Sequence, residues 1–270
     1  VANESEHRRW NHPRWVATWP ARECLTDVVT PHVVKATDAR PGQRVFDVGC
    51  GGGALAVTLA DAVAPDGEVV GLDISSALLE LARRRAVDAG RSNVRFLEMD
   101  VQTGTLEPGP FDLAVSQFGV MFFDEPTAAL TAIKSRLAPD GRFVFACWQS
   151  VERNPWHVGT ALRPLLPPPP TPPPGKSPVG PFAFGDEEYV REVLEAAGFG
   201  AVRADPHESS VRGSAQAVSD PSLFELMGVS PEREEEAAAL LEAHLAGFAV
   251  GPGEFEYPLA FMVYEATATA

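Results

Sequence analysis

Residues 44–59, Arg-Val-Phe-Asp-Val-Gly-Cys-Gly-Gly-Gly-Ala-Leu-Ala-Val-Thr-Leu, constrain the fold more than any other stretch. The apolar run Val45–Val48 reads as a buried parallel strand, with Asp47 near its carboxyl end. Gly49 and Gly51–Gly53 follow, and then an apolar helical pattern, Leu55, Ala56, Leu59 and Ala60. Glycines permit a tight turn and let a ligand approach bare backbone. The helix that follows starts with unpaired N–H groups. Strand, glycine turn and helix start together predict a nucleotide-cofactor site at the carboxyl edge of a sheet.

Gly49-x-Gly51-x-x-Ala54 also fits the dinucleotide pattern, with Asp73 about 20 residues on. Three features turn the reading away from a nicotinamide. Asp47 stands two residues before the first glycine, where it would repel a pyrophosphate but attract an ammonium group. A further strand, Phe111–Ser116, runs into Gln117-Phe118-Gly119-Val120-Met121-Phe122-Phe123. The chain closes on Tyr257–Ala266, a last strand with no helix after it, as an added antiparallel strand would be.

On these residues the chain resembles the class I S-adenosylmethionine-dependent methyltransferases, of the type-11 or ubiquinone/menaquinone-biosynthesis-like small-molecule group. The matching pieces are Phe46–Gly53, Val70–Ser75, Leu97–Val101, Phe111–Ser116 and Leu137–Phe143, in family order and spacing over residues 42–147. The resemblance implies an α/β fold: a Rossmann-like seven-stranded sheet, mostly parallel with the last strand antiparallel. Helices cover both faces, with a helical or lid insertion. It implies S-adenosyl-L-methionine as cofactor and S-adenosyl-L-homocysteine as product.

Composition narrows the substrate. Lys plus Arg is 22 and Asp plus Glu is 37, a net charge of −15. So acidic a surface repels phosphate backbones, so no nucleic-acid partner is expected. Strand four ends Ser116-Gln117-Phe118-Gly119, not in the Asn/Asp-Pro-Pro-aromatic signature of amino-methylating enzymes of this fold. Cys24, Cys50 and Cys147 have neither disulfide nor metal spacing and read as reduced thiols. With no long apolar run and no secretory pattern in Val1–Trp15, the expectation is a cytoplasmic protein without a membrane partner. The oligomeric state stays open, a homodimer being one alternative.

The chain divides into an N-terminal helical cover (1–40), a Rossmann-like cofactor-binding core (41–150), a proline-rich lid (151–185) and a completion of the sheet (186–270). The last part carries a helical insert at 214–248, and the whole makes one compact domain. The core is expected as strand 43–48, helix 51–63, strand 68–73, helix 76–89, strands 93–98 and 111–116, helix 126–137 and strand 141–147. Two short helices are expected before it, and helix 186–197 and strand 200–211 after it. Ten prolines lie between Arg163 and Phe182. They form either a stiff surface linker or a lid over the substrate, and the flanking Trp156, Phe182 and Phe184 favour the lid. The acidic run Glu232–Glu236 reads as a solvated helix face, and the insert as part of the cavity wall.

The family resemblance assigns the cofactor contacts. Asp47 attracts the ammonium, helped by backbone carbonyls near Gly49 and Ser116, and Gly51 lets the backbone pass the methionine portion. Asp73 accepts both ribose hydroxyls, Ile74 packs on the adenine, and Asp100 and the Val101 N–H read the adenine edge. Trp10 and Trp15 either close over the methionine end or anchor a loose terminus. On the acceptor side stand His12, Gln117, Met121, Trp156, Phe182 and Phe184. Methyl transfer needs alignment of nucleophile, methyl carbon and sulfur, and a protonated acceptor invites a base. Of six histidines, His157 lies just past strand five and is the candidate; His12 is second. No metal cluster is expected.

The functional reading is methyl transfer to a small apolar or aromatic intermediate of secondary metabolism. The alternatives are a non-methylating relative that keeps the cofactor, for example for a cyclisation, and a nicotinamide-dependent oxidoreductase, which Asp47 and the last strand disfavour.

Overall fold

The computed structural model describes residues 4–104, 109–167, 179–218 and 220–269. Three helices come first: α1 (Glu4–Trp10), α2 (Pro13–Asp27) and α3 (Thr30–Thr37). The core alternates β1 (Arg44–Val48), α4 (Ala54–Val63), β2 (Glu68–Asp73), α5 (Ser76–Asp88), β3 (Val94–Glu98), β4 (Phe111–Gln117), α6 (Pro126–Lys134) and β5 (Leu137–Trp148). Then follow α7 (Val158–Leu162), α8 (Glu187–Ala196), β6 (Phe199–Gly213), α9 (Phe224–Met227), α10 (Glu234–Leu245), β7 (Ala249–Gly251) and β8 (Glu254–Ala268).

The sheet order is β3-β2-β1-β4-β5-β8-β6, with the three-residue β7 added against β8. Strands β1 to β5 pair in parallel, and β8 runs antiparallel to both β5 and β6. The seven expected strands are therefore present, with β7 an eighth, and the strand without a following helix is the antiparallel one. Strand order reverses at β1, so the loops leaving β1 and β4 part there and open a crevice at the carboxyl edge. The core is apolar on both sheet faces, with Val45, Phe46, Val69, Val70, Leu113 and Val144 fully buried.

Boundaries differ from expectation for backbone reasons. Helix α4 starts at Ala54 rather than residue 51, because Gly51 (φ +51°) and Gly53 (φ +81°) are left-handed and cannot lie inside an α-helix. The cover has three helices rather than two, because the chain breaks around Val28 and Val29 before Pro31 takes the first turn of α3. The Glu-rich start of α10 is exposed and adds favourable charge to a helix N-terminus.

The geometry of β8 explains where the insert goes. Its Phe261–Thr267 stretch pairs with Trp148–Arg142 of β5, whereas Phe255–Ala260 pairs with β6 and lies beyond the β5 pairing. The β6–β8 ribbon therefore rises beyond the carboxyl end of β5. The connection between them, residues 214–248, is delivered above the crevice. The proline-rich segment lies largely outside the described residues, which resume at Val179. Cys24, Cys50 and Cys147 are unpaired. Among the described residues no helix is long and apolar enough to cross a membrane.

Candidate active site

A cavity of about 280 Å3 fills the crevice. Its floor is the glycine loop. The Gly49 and Cys50 N–H groups donate to the Leu72 carbonyl at 2.8 and 2.9 Å, which holds the turn against β2. Asp73 spans two loops: Oδ2 accepts from the Gly51 N–H and Oδ1 from the Ser75 N–H, both at 2.8 Å. Gly49 (φ +69°) meets the loop after β4 so closely that a Cβ there would lie 2.9 Å from Gly119 Cα.

The N-terminal cover is tied to this floor. Ser75 Oγ donates to the Trp10 carbonyl at 2.8 Å, Asn11 Nδ2 donates to the Ile74 carbonyl at 3.0 Å, and the Ser76 N–H donates to Asn11 Oδ1 at 3.1 Å. On α2, Trp15, Trp19, Arg22 and Thr26 share one face by helical spacing, and all four line the cavity. Trp19 lies over the glycine loop: a Cβ on Gly51 would fall 2.7 Å from its ring. Trp10 packs near Trp15, Trp19 and Phe122 at centroid distances of 5.8, 6.2 and 5.3 Å. The Trp15 ring faces two guanidiniums, Arg22 at 4.2 Å and Arg9 at 4.8 Å.

Asp47 supplies the electrostatic test of whether the site suits the implied cofactor. It is 1% exposed, and neither carboxylate oxygen has a hydrogen-bond partner among the described residues. Burial, and then the Asp73 charge, pushes it up to about 8; the Ala56 N–H opposes this without closing a hydrogen bond. Burial also raises Asp73, against the N–H groups of Ser75 and Gly51. Eight buried side-chain polar atoms lack a hydrogen-bond partner among the described residues, though one of them, Arg91 Nε, lies in an ion pair with Asp61. Five belong to residues lining this cavity: both Asp47 oxygens, Gln117 Oε1 and the indole nitrogens of Trp15 and Trp19. Buried polar atoms are normally satisfied, so their concentration here marks a ligand site. Acceptors beside the glycine loop and an acid at each of two strand ends suit an ammonium and a ribose. The donor set fits the cofactor that the resemblance implies.

The other end is aromatic. Phe118, left-handed at φ +63°, stacks on Trp148 at 3.9 Å, and Trp148 meets Trp156 edge-on at 5.2 Å. Buried Asn154 fixes this wall: its Oδ1 accepts from the Trp156 indole N–H at 3.2 Å and the Ala260 N–H at 3.0 Å, and its Nδ2 donates to the Ala260 carbonyl. His157 is half-buried, lines the cavity and sits 4.9 Å from Phe182, edge to face. Burial, then Arg22, Arg9 and His244, lowers it to about 4. The insert contributes Val218, Leu223 and Met227 to the wall.

The predicted residues Asp47, Gly49, Gly51, Asp73, Ile74, Asp100, Val101, Trp10, Trp15, Gln117, Met121, Trp156 and His157 all line the cavity. Four others do different work. Ser116 Oγ donates to the Val48 carbonyl at 2.7 Å inside the sheet. His12 caps α2, its Nδ1 accepting from the Arg14 N–H at 3.3 Å. Phe182 stands one layer back, behind His157. Phe184 packs into the core against Phe145 and Tyr189. Sequence reasoning missed Arg9, Trp19, Arg22, Met99, Phe118 and Trp148. The Trp15-Trp19-Arg22 spacing on one helix was the available signal.

The comparisons agree with this geometry. A family model described as a methyltransferase domain matches residues 39–163. The chain is 28% identical over 259 residues to nocamycin O-methyltransferase of Saccharothrix syringae, covering 87% of this chain and 89% of that one. It is 33% identical over 113 residues to aklanonic acid methyltransferase of a Streptomyces species, strain C5, covering 42% of this chain and 51% of that one. Among solved structures, the YcgJ protein of Bacillus subtilis superimposes with a TM-score of 0.61 at 17% identity, over 90% of this chain and 99% of that one, a likeness of fold.

Proposed function

We propose that this chain is a class I S-adenosylmethionine-dependent methyltransferase that methylates a small, largely apolar or aromatic acceptor of secondary metabolism. The carrying observation is the continuity of one cavity from the orphaned Asp47 and the glycine loop to the Phe118–Trp148–Trp156 wall. The similarity to two secondary-metabolite methyltransferases supports it, and the net charge of −15 favours a small molecule over nucleic acid.

The cofactor supplies an electrophilic methyl group on a sulfonium. Asp47 would hold its ammonium, Asp73 its ribose hydroxyls, Ile74 and Met99 the adenine faces and Asp100 the adenine edge. Trp19 closes the glycine loop from above and excludes water. Positioning of this kind is worth as much as ~7–11 kcal/mol in a transfer reaction. His157 is neutral at physiological pH and a poor proton acceptor, so it orients the acceptor rather than deprotonating it.

Two outcomes are expected. Incubation with cofactor and aromatic acids, phenols and enols should give a product heavier by one methyl in place of hydrogen; cofactor-dependent turnover with unchanged mass would make the chain a non-methylating relative. His157→Ala should lower kcat by less than about tenfold, short of the ~10²–10⁴ of a general base, with an unaltered pH–rate profile. A larger loss with disappearance of an ionisation would restore the base role.

Cofactor binding should also move a proton. With Asp47 held near 8, most free protein carries that proton at pH 7. An ammonium beside it restores the charge, so S-adenosylhomocysteine binding at pH 7 should release close to one proton, and almost none at pH 9. The stability of the free protein due to Asp47 is greatest below the usual carboxylate range and is lost as pH rises through about 8. Calorimetry in buffers of different ionisation enthalpy reads the proton; Asp47→Asn should abolish its release and weaken binding. Proton-independent binding by the parent protein would mean that Asp47 is already ionised.

A further inference from the structure

The acceptor half of the cavity holds a cation that no carboxylate bonds directly among the described residues. Arg22 projects from the middle of α2 into the cavity and makes no hydrogen bond or ion pair among the described residues. Its neighbour is the Trp15 ring. In so acidic a chain most other arginines are paired, as in Arg85–Glu23, Arg142–Glu265 and Arg44–Glu68. Asp220 acts on Arg22 through space only, and its hydrogen bonds and those of Glu23 go elsewhere. Asp220 accepts from the Ser222 N–H and the Gln216 amide. Glu23 takes two hydrogen bonds from Arg85, at 2.8 and 2.7 Å. The remaining cavity carboxylates, Asp47, Asp73 and Asp100, stand at the ends of β1, β2 and β3, on the cofactor side. Arg9 adds a second guanidinium over the same indole, held only loosely by Glu6 at 3.6 Å.

A desolvated, unpaired guanidinium is costly unless a ligand supplies the anion. Burial, then Arg9, holds Arg22 down to about 10, and the Asp220 charge only partly offsets them. Arg9, Arg22 and His157 all line this cavity, and after burial the two arginines are the main charges that suppress proton binding at His157. The cofactor's own carboxylate has a different donor available, the unpartnered Trp19 Nε1 lying over Gly52.

Resting on the methyl-transfer reading above, we propose that the acceptor carries an anionic oxygen, a carboxylate or comparably acidic enolate, which Arg22 holds with help from Arg9. The oxygen attacks the sulfonium methyl carbon; the new C–O bond forms as the C–S bond breaks, its electron pair passing to sulfur. A carboxylate and a sulfonium become a neutral methyl ester and a neutral thioether, and no proton is transferred. The chemistry therefore needs no base, in keeping with the weak imidazole of His157. The ester no longer pairs with Arg22, so the step that forms the product also loosens it.

The test uses the protein saturated with S-adenosylhomocysteine and a matched probe pair, 2-naphthoate and its neutral isostere 2-naphthamide. Calorimetry should show the acid binding at least about tenfold more tightly, the worth of one charge-assisted pair. Arg22→Leu should erase that preference while leaving S-adenosylhomocysteine affinity within about threefold of the parent protein. Removing an unpaired buried cation should not lower the melting temperature, and Arg22→Lys, which keeps the charge, should recover part of the preference. No acid preference, failure of both probes to bind included, overturns the proposal. So does an Arg22→Leu variant that loses S-adenosylhomocysteine affinity, because the arginine would then serve the cofactor carboxylate. Binding to a product complex does not depend on turnover, so the acid preference and methyl transfer fail separately.

Discussion

Asp73→Ala is expected to weaken S-adenosylhomocysteine binding by at least about 100-fold. Hydrogen bonds to a charged acceptor contribute ~1.5–3 kcal/mol each, and two to a ribose diol at the lower end of that range correspond to two decades. The structure adds a second loss. Asp73 also accepts the Gly51 and Ser75 N–H groups, so its removal strips two donors of their partner and loosens the glycine loop. Ser75 in turn caps α5 and holds the Trp10 carbonyl, so the disturbance extends to the N-terminal cover. Asp73→Asn keeps the volume and one acceptor oxygen and should fall between the two. Titration calorimetry on folded variants decides it: unchanged affinity in Asp73→Ala would take the ribose away from this residue.

Gly49→Ala should be strongly damaging for a change of one methyl group. At φ +69° an L-residue pays roughly 1–2 kcal/mol for the left-handed backbone. The new Cβ would also stand 2.9 Å from Gly119 Cα, backbone against backbone at the point where the β1 and β4 loops cross. Neither loop can yield cheaply, because the Gly49 N–H is bonded to Leu72 and Ser116 Oγ to Val48. Overpacking of this kind adds ~1–3 kcal/mol. At ~2–4 °C per kcal/mol for a domain of this size, the melting temperature should fall by roughly 5–15 °C, with cofactor binding lost as the loops part. Gly42→Ala is the control: it shares the positive φ, at +85°, but a Cβ there meets nothing within 4 Å, so only the conformational cost remains. Equal melting temperatures for the two variants would show that the loop crossing is not tight.

How much of this was legible beforehand follows from the range of the interactions involved. The resemblance named candidate cofactor residues one by one, and the structure brings most of them to one cavity. Asp47, Asp73 and Asp100 stand at or just past the ends of β1, β2 and β3, and strands that run parallel bring their carboxyl ends to one edge whatever lies between them. The missed helix start at residue 54 was a matter of glycine dihedrals, which composition alone does not order. The lid expectation was only partly met within the described residues: Trp156, His157 and Pro181 reach the cavity, whereas Phe182 and Phe184 serve other packing.

Sequence by itself determined the fold class, the glycine cradle and the acids facing it, because each depends on neighbours a few residues apart and on the sense of parallel strands. The acceptor half was decided only by tertiary structure. It is assembled from α2, the loop after β4, the segment after β5 and the insert carried on the β6–β8 ribbon, and no periodicity couples those stretches. Whether an arginine is paired, or a histidine can hold a proton, is a property of the enclosed volume. Arg22 makes no ion pair among the described residues, and His157 is held neutral, because burial and charges distant in sequence meet there.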